Sequence, residues 1–345
     1  MLLPFAVVYG LIIFIRNKLY DKNFFKSAKF NFPLICVGNI AVGGTGKSPM
    51  VEYLVELLKP DFKIATLSRG YKRKTRGYAL ANANTTALEI GDEPMQFRIK
   101  FPDVPIAVGE ERIVAIPQLL QDQPDLEAII LDDAFQHRIV QAGLNILLTE
   151  YSNLYVHDFF LPTGDLRDEW ASAKRADIII VTKCPEDLSI EKKQSIIKSL
   201  KPLLSQTVYF TTIEYGIPYH IVSHDKRMIT QDDEVLLVCG IANPKPLKEL
   251  LLENTKAYYQ KDYNDHHIFS IDDLHEIKER FDEINADKKF ILTTEKDAVR
   301  LVKFADELID TPVFIIPIRH RFLFSEEEKF NGQVISFIRN FTHKV

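Results

Sequence analysis

Residues 41–48 combine the residue types of a phosphate-binding loop. The apolar run 34–38 leads into a glycine-rich turn that ends in a lysine and a serine. Glycines leave backbone N–H groups free to surround a polyphosphate, and the N-terminus of a following helix favours negative charge. In such loops the lysine reaches the β- and γ-phosphates and the serine hydroxyl binds Mg²⁺. The sequence therefore predicts a nucleoside triphosphate site formed by Ala41, Val42, Gly43, Gly44, Thr45, Gly46, Lys47 and Ser48.

Two positions separate this loop from related patterns. In G-x-x-x-x-G-K-S/T the first glycine would fall at position 41, which here is Ala41. Regulatory and partitioning ATPases with a K-G-G-x-G-K-S/T loop carry an extra lysine that would fall at Val42. The sequence therefore disfavours that ATPase class. An ordinary glycine-rich turn is the structural alternative, but the glycines, the Lys-Ser pair and the preceding strand coincide here.

A pair of acidic residues follows another apolar run. Residues 127–131 read as a buried strand and lead into Asp132 and Asp133. Carboxylates at the tip of a strand beside a phosphate loop are typical of a Walker B element, which holds Mg²⁺. Exposed Asp pairs in ordinary loops are the alternative. We predict a metal site formed by Ser48, Asp132 and Asp133.

Three further segments are compatible with contacts to substrate or phosphate. Tyr71 lies in a basic segment after a predicted strand, and a solvated turn is the alternative interpretation. Asp92 precedes Glu93-Pro94 and suits either an N-cap or a catalytic carboxylate. Arg167 offers a cation for anionic groups.

Two segments argue against other kinds of site. Thr182-Lys183-Cys184-Pro185 ends a predicted strand, but a guanine-specific N-K-x-D loop would need aspartate where Pro185 stands. GTP specificity is therefore unsupported. The His266-His267 pair lacks the partner spacing of a zinc site, and a purely structural role is the simpler interpretation.

Composition restricts the class of protein. The hydrophobic share of 46% in 345 residues indicates a globular protein with a substantial core and room for two domains. A net charge of −5 argues against general nucleic-acid binding. The three widely spaced cysteines fit a reducing compartment and are predicted to be small core residues.

The N-terminus carries an apolar run over residues 2–15, followed by Arg16, Lys18 and Lys22. As a helix this run would span about 21 Å, less than the hydrocarbon core of roughly 30 Å. No basic residue precedes it and no small-residue cleavage site follows, which argues against a signal peptide. A buried core helix is one interpretation. The adjacent positive charge favours the other, a helix lying in the membrane interface.

Apolar strands alternate with helical stretches along most of the chain. From residue 30 to about 215 this pattern predicts a parallel sheet with flanking helices, resembling a P-loop NTPase, and a second, smaller α/β domain follows. We predict an interfacial helix over 1–25, a P-loop domain over 26–222 and a second α/β domain over 223–345. The last helix is predicted at 326–342, where it can pack back on the first domain.

Together these segments resemble the tetraacyldisaccharide 4'-kinase family, the lipid A 4'-kinases. The resemblance extends over nearly the whole chain and keeps the order of the motifs. Each motif is weak alone, but the ordered set is specific. Besides the N-terminal run, the matching segments are Val-Gly-Asn-Ile-Ala-Val-Gly-Gly-Thr-Gly-Lys-Ser-Pro (37–49), Ser-Arg-Gly-Tyr (68–71), Gly-Asp-Glu-Pro (91–94), Asp-Asp-Ala-Phe-Gln-His (132–137), Pro-Thr-Gly-Asp-Leu-Arg (162–167), Thr-Lys-Cys-Pro (182–185), Asp-His-His (265–267) and Thr-Glu-Lys-Asp-Ala (294–298).

The resemblance implies transfer of the ATP γ-phosphoryl group, with Mg²⁺, to the 4'-hydroxyl of a tetraacyl glucosamine disaccharide 1-phosphate. It implies a peripheral enzyme on the cytoplasmic face of the bacterial inner membrane, with no nucleic-acid partner and no implied protein partner. Carried over by motif, Asp92 pairs with His266 as a base, with His267 as the alternative partner, and Lys47 acts on the phosphates. Tyr71 and Arg167 resemble substrate or phosphate contacts.

Three residues depart from the family pattern, and two other functions remain as alternatives. Ala134 replaces a common glycine, Ser48 replaces the commoner threonine, and Asp165 stands where an uncharged residue is usual. Asp165 leaves the substrate contacts of its loop open. A soluble P-loop kinase for a small molecule explains the loop but not the apolar N-terminus. A non-catalytic nucleotide-binding membrane adaptor does not need the Asp92–His266 pair.

Overall fold

The computed structural model describes residues 2–241, 243–265 and 267–341. The chain divides into two compact units, each treated by itself. The first unit comprises the described parts of Met1–Ile90, Phe101–Glu214 and Arg319–Val345. The second comprises the described parts of Gly91–Lys100 and Tyr215–Ile318. The domain boundaries predicted from the sequence stay a prediction.

The strands follow the apolar runs of the sequence. In chain order they are β1 (Ala28–Lys29), β2 (Leu34–Asn39), β3 (Ile64–Ser68), β4 (Ala79–Leu80), β5 (Ile106–Val108), β6 (Ala128–Asp132), β7 (Val140–Gln141), β8 (Leu144–Glu150), β9 (Ile178–Thr182), β10 (Thr207–Tyr215), β11 (Tyr219–His220), β12 (Glu234–Cys239), β13 (Ala257–Asp262), β14 (Lys289–Thr294), β15 (Val313–Ile316) and β16 (Ile318–Phe322).

The helices lie between these strands, as expected for crossover connections in a parallel sheet. In chain order they are α1 (Leu3–Asp21), α2 (Lys47–Leu58), α3 (Ala87–Ile90), α4 (Asp92–Lys100), α5 (Arg112–Asp122), α6 (Ile190–Leu200), α7 (Lys245–Asn254), α8 (Ile271–Asp282), α9 (Glu295–Leu301), α10 (Ala305–Leu308) and α11 (Glu327–Arg339).

A nine-stranded sheet forms the centre of the first unit, in the order β16-β10-β9-β8-β2-β6-β3-β5-β4. The pairs from β10 to β5 are parallel, whereas β4 pairs antiparallel with β5. β2 is buried along its whole length between β8 and β6. The carboxyl ends of these parallel strands therefore meet where the phosphate loop follows β2, the usual ligand position in open α/β sheets.

The second unit has its own five-stranded sheet, in the order β11-β15-β14-β12-β13. β12 is buried throughout and pairs parallel with both β13 and β14, as expected for a central strand of a parallel sheet. Separate apolar clusters around Phe269 and Phe290 pack on this sheet. The predicted fold class, a parallel α/β sheet with a second smaller α/β part, is confirmed.

The segment 207–224, whose sequence predicts extended and possibly antiparallel strands, pairs in both directions. β10 is parallel to β9 on one side. On its other side it is antiparallel to β16, because the Gly216 N–H donates to the Pro317 carbonyl and the Leu323 N–H donates to the Phe210 carbonyl. β11 pairs antiparallel with β15. The side chains of Tyr209 and Phe210 in β10 are fully buried.

Helix α1 exposes most of its apolar side chains. It runs to Asp21, well beyond the apolar run, and no charged residue occurs before Arg16. Its buried residues are only Ala6, Gly10 and Asn17. By length and composition the helix could cross a bilayer, and 17% of its most apolar 18-residue stretch is buried in the protein. The helix therefore has one protein-facing stripe and a broad exposed apolar surface.

Polar bonds fix the inner stripe of α1 to the first unit. The Asn17 side chain donates to Asp168 (2.7 Å) and Glu169 (2.9 Å). The Tyr9 hydroxyl donates to the carbonyl of Arg167 at 3.1 Å. Gly10 lies so close to the Phe160 ring that a Cβ at this position would be 2.7 Å from it. The helix thus docks on the segment that contains Arg167.

Candidate active site

The loop after β2 adopts a conformation that requires glycine. Gly43 has a φ of 105° and Gly46, the residue before α2, has a φ of 83°. These left-handed values are strained for residues with a Cβ. A Cβ on Gly43 or Gly44 would meet no atom within 4 Å, so the space in front of the loop is open.

Bonds from neighbouring segments hold the outer side of this loop. The Val42 N–H donates to the carbonyl of Asp165 at 2.7 Å. The Thr45 hydroxyl accepts a hydrogen bond from Asn39 Nδ2 at 2.9 Å. The backbone carbonyl of Thr45 accepts one from the Thr182 hydroxyl, also at 2.9 Å. Within the described chain, the N–H groups of the three loop glycines donate no hydrogen bond. They are available for an anionic ligand.

Two cations converge on Asp133 beside the loop. Arg167 Nη2 lies 3.1 Å from Asp133 Oδ1, and Lys47 Nζ lies 3.8 Å from the same oxygen. Arg167 also donates to the amide oxygen of Asn39. Burial acts to raise the pKa of Asp133, but Lys47 and Arg167 outweigh it and lower that pKa below its usual value. The carboxyl is therefore ionised at neutral pH, and its side chain is 40% exposed.

Asp132 occupies the end of β6, where it pairs in register with Val37 of β2. Its Oδ2 accepts from the Ser68 hydroxyl at 3.2 Å. The fully buried Arg112 donates to the Asp132 carbonyl at 3.1 Å. Burial lowers the pKa of Arg112 to about 10, against the opposing effect of Asp132 and Asp133, so its guanidinium stays charged at neutral pH.

Tyr71 occupies an exposed position. Its side chain is 62% exposed, and Lys72 Nζ lies 5.4 Å from its ring centroid. Among the described residues its hydroxyl makes no hydrogen bond. The backbone around Tyr71 is held in place by Arg73. The Arg73 guanidinium is paired with Glu110 at 2.7 Å, and its side chain packs on Gly70.

Asp92 lies in the second unit, at the start of α4. Arg300 of α9 holds its carboxylate through two N–H groups, with Nε at 2.9 Å from Oδ1 and Nη2 on Oδ2. The remaining guanidinium nitrogen, Nη1, donates to the carbonyl of His267 at 2.8 Å. Arg300 thus ties Asp92 to the Asp-His-His loop. The predicted partner His266 lies outside the described residues.

The chain matches one protein family along its length. A sequence profile described as "Tetraacyldisaccharide-1-P 4'-kinase" matches residues 1–339. A tetraacyldisaccharide 4'-kinase from Flavobacterium johnsoniae is 45% identical, covering 98% of this chain and 96% of its own length. One from Bacteroides thetaiotaomicron is 42% identical, with 99% and 93% covered. The chain belongs to the tetraacyldisaccharide 4'-kinase family.

A solved member of the 4'-kinase family has the same fold. The crystal structure of LpxK from Aquifex aeolicus in complex with ATP superposes with a TM-score of 0.75 at 29% sequence identity. The match covers 98% of each chain. The family suggested by the ordered motifs is therefore confirmed.

The residues after β2 and β6 suit a magnesium ion of the kind that 4'-kinases require with ATP. Mg²⁺ prefers oxygen ligands and is usually held by one or two carboxylates, with water and substrate phosphates completing its shell. Ser48, Asp132 and Asp133 supply such oxygens. Within the described residues, no group of three His, Cys, Asp or Glu side chains can hold a metal alone. This donor set suits an ion that arrives with the nucleotide.

Three polar residues escaped prediction in this 4'-kinase. Asn39 bonds both Thr45 and Arg167, and it stands within a motif that carried the family resemblance. The bond of Arg300 to Asp92 spans 208 positions, and its only sequence signal is the Thr-Glu-Lys-Asp-Ala motif nearby. His320 contacts the phosphate loop across 274 positions, and nothing in the sequence marks it.

Proposed function

We propose that this chain transfers the γ-phosphoryl group of ATP to the 4'-hydroxyl of tetraacyl glucosamine disaccharide 1-phosphate at the cytoplasmic face of the inner membrane. As a member of the 4'-kinase family it is an ATP-dependent phosphotransferase of lipid A biosynthesis. The observation that carries the residue assignments is the convergence of Lys47 and Arg167 on Asp133, directly beside a loop with unbonded glycine N–H groups.

The phosphate loop binds and orients the triphosphate in this proposal. Its glycine N–H groups surround the phosphate oxygens, and the N-terminus of α2 adds a favourable dipole. Lys47 and Arg167 are both within reach of one carboxylate, so they can exchange part of that contact for phosphate oxygens. Phosphoryl transfer has a loose transition state, so positioning and neutralisation of charge supply most of the catalysis.

Ser48, Asp132 and Asp133 would hold Mg²⁺ in this proposal. The ion supplies charge neutralisation at the β- and γ-phosphates when it is bound. The structural support is the ionised state of Asp133 and the position of Asp132 at the tip of the strand beside β2. Arg112 behind Asp132 keeps this acidic turn in place through its bond to the backbone.

Asp92 accepts the proton of the sugar hydroxyl, and His266 supports it. A sugar hydroxyl has a pKa far above 7, so the proton leaves late, as the bond to phosphorus forms. The fork of Arg300 fixes the direction of both Asp92 oxygens. Tyr71 and Arg167 are proposed contacts of the lipid or its phosphates, and the exposure of Tyr71 suits that role.

Incubation with Mg-ATP and the acylated disaccharide 1-phosphate tests the activity directly. The expected product is a bisphosphorylated lipid that carries the new phosphate at the 4' position. A deacylated disaccharide 1-phosphate and a panel of small sugars serve as comparison acceptors. Preferential phosphorylation of a small sugar would favour the soluble-kinase alternative. ATP binding without any acceptor turnover would favour the adaptor.

Helix α1 is the proposed membrane contact. Its exposed apolar side chains include Phe5, Leu11 and Ile12, while bonds from Asn17 and Tyr9 hold its other stripe on the protein. A helix anchored along one side in this way fits a position in the interface, with its outer face among the acyl chains. Its 19 residues measure about 28 Å, but the last turns carry charge.

Vesicle binding tests this orientation, and the chain has a built-in reporter. The single tryptophan, Trp170, is 53% exposed and adjoins Glu169, which binds Asn17 of α1. Its emission should shift to shorter wavelength when anionic vesicles are added. Replacing Leu11 and Ile12 by glutamate should abolish sedimentation with vesicles. The matched control is Leu204→Glu, at a fully exposed apolar residue far along the chain, which should bind vesicles normally.

A further inference from the structure

His320 is hydrogen-bonded to the backbone of the phosphate loop. Its side chain is 2% exposed and sits on β16, the edge strand beside β10. Nε2 lies 2.9 Å from the carbonyl oxygen of Gly46. Nδ1 lies 2.9 Å from the hydroxyl of Thr211. Both ring nitrogens therefore have hydrogen-bond partners, and the partner of Nε2 belongs to the phosphate loop.

The chemistry of the two partners fixes the protonation of the ring. A carbonyl oxygen only accepts, so Nε2 carries the proton and donates to Gly46. Nδ1 then accepts the proton of the Thr211 hydroxyl. Burial lowers the pKa of His320 to about 4, which keeps the ring neutral at physiological pH. His320 is thus a fixed neutral donor to the loop.

The carbonyl that receives this bond belongs to the peptide joining Gly46 to Lys47. In a trans peptide the C=O and N–H groups point in opposite directions. A bond that holds the Gly46 carbonyl toward His320 therefore turns the Lys47 N–H away from it. The Thr182 hydroxyl does the same for the preceding peptide, because it holds the Thr45 carbonyl and so sets the direction of the Gly46 N–H.

We propose that His320 is a positioning residue that presents the Lys47 N–H, together with the Gly46 N–H set by Thr182, to the phosphates of ATP. The proposal rests on the proposed nucleotide-binding role of the loop. The ring also occupies the space beside Gly46, where a Cβ would lie 3.0 Å from two ring atoms. The Gly46 carbonyl also accepts from the Met50 N–H of α2 at 3.2 Å, so loss of the ring removes one of the two bonds that fix this peptide. Glycine at this position tolerates a change in peptide orientation that other residues would resist.

The decisive experiment measures the dissociation constant of Mg-ATP and the KM for each substrate in His320→Leu. We expect the dissociation constant and the KM for ATP to rise about 10-fold, because the Lys47 N–H, one oriented donor to a charged ligand, is no longer held by His320. The KM for the lipid acceptor should stay unchanged. His320→Gln keeps an N–H donor and should restore ATP affinity to within about threefold of wild type.

His220→Leu is the matched control. His220 is also a buried histidine whose Nε2 bonds a backbone carbonyl, that of Thr311, but it lies in the second unit. Its loss should lower the melting temperature and leave ATP affinity unchanged. If His320→Leu behaves in the same way, or if His320→Gln is as impaired as His320→Leu, the inference is overturned.

A milder variant covers the case in which His320→Leu is not recovered folded. Thr211→Val keeps the shape of the buried threonine and removes the hydroxyl that orients the ring. It should raise the dissociation constant of Mg-ATP by about threefold. An unchanged constant overturns the inference. Wild-type protein that fails to bind Mg-ATP would instead refute the proposed function.

Discussion

The phosphate loop is held through its backbone carbonyls, whereas Asp92 is held through its carboxylate by the charged guanidinium of Arg300. In the first unit, Thr182 and His320 bind the carbonyls of Thr45 and Gly46. In the second unit, a guanidinium fork binds a carboxylate. Neutral hydrogen bonds to the backbone carbonyls set the direction of the neighbouring N–H groups. They leave those N–H groups unoccupied for an anionic ligand. The charge pair sets the direction of the carboxylate through a planar, charged donor.

The comparison predicts that the two regions separate binding from turnover. Substitutions around the loop should change ATP affinity, and substitutions around Asp92 should change kcat. The following variants test that separation.

Asp92→Asn should have the largest effect. We expect kcat to fall by about 10³-fold, in the range for loss of a general base, while Mg-ATP affinity stays within about threefold of wild type. Single-turnover rates and equilibrium binding measure the two quantities. The control is Asp282→Asn, at an exposed position at the end of α8. Near-normal turnover in Asp92→Asn rules out its assignment as the base.

Lys47→Ala should act on both quantities, because its ammonium lies 3.8 Å from Asp133 Oδ1 and is proposed to bind the phosphates. We expect kcat/KM for ATP to fall by about 10²-fold, since charge stabilisation of the transferring group is lost. Lys59→Ala is the matched control, because Lys59 caps the far end of the same helix and is paired with Asp103 at 3.8 Å. Equal effects of the two variants would contradict a specific role for Lys47.

Arg300→Lys should reduce kcat by about 10-fold and leave ATP affinity unchanged. Lysine keeps the positive charge but loses the planar fork, so Asp92 is neutralised without being oriented. Steady-state kinetics at saturating ATP measures the effect. If Arg300→Lys is fully active, charge alone is sufficient at Asp92, and the contrast between the two regions weakens.

Acid should weaken the first unit through its buried histidines. His320 and His137 have folded-state pKa values of about 4, lowered chiefly by burial, against about 6.5 in the unfolded chain. Between pH 6.5 and 4 the unfolded chain binds protons that the folded chain does not, so stability falls as pH falls. For His320 the loss is at most about 3 kcal/mol. Denaturant unfolding at pH 7.5 and 5 should show a smaller loss in His320→Gln than in wild type.

Local patterns predicted the parts of the molecule that depend on neighbouring residues. The strand β2, the glycine turn and the Asp132–Asp133 tip follow from apolar runs and short motifs. The bonds of Arg300 and His320 join residues more than 200 positions apart, and one sequence contains no measure of such packing. Composition and periodicity likewise could not predict that residues 91–100 belong to the second unit.

The buried thiols give the chain a practical property. Cys36, Cys184 and Cys239 are free and buried, as the sequence predicted, and burial raises the pKa of each to about 12. Thiolates react with maleimides and thiols do not, so the native cysteines should stay inert under labelling conditions. Cysteines introduced at exposed sites, one in each unit, would therefore accept spin labels or dyes in an otherwise wild-type background. Distances between such labels, with and without nucleotide, would report motion during turnover.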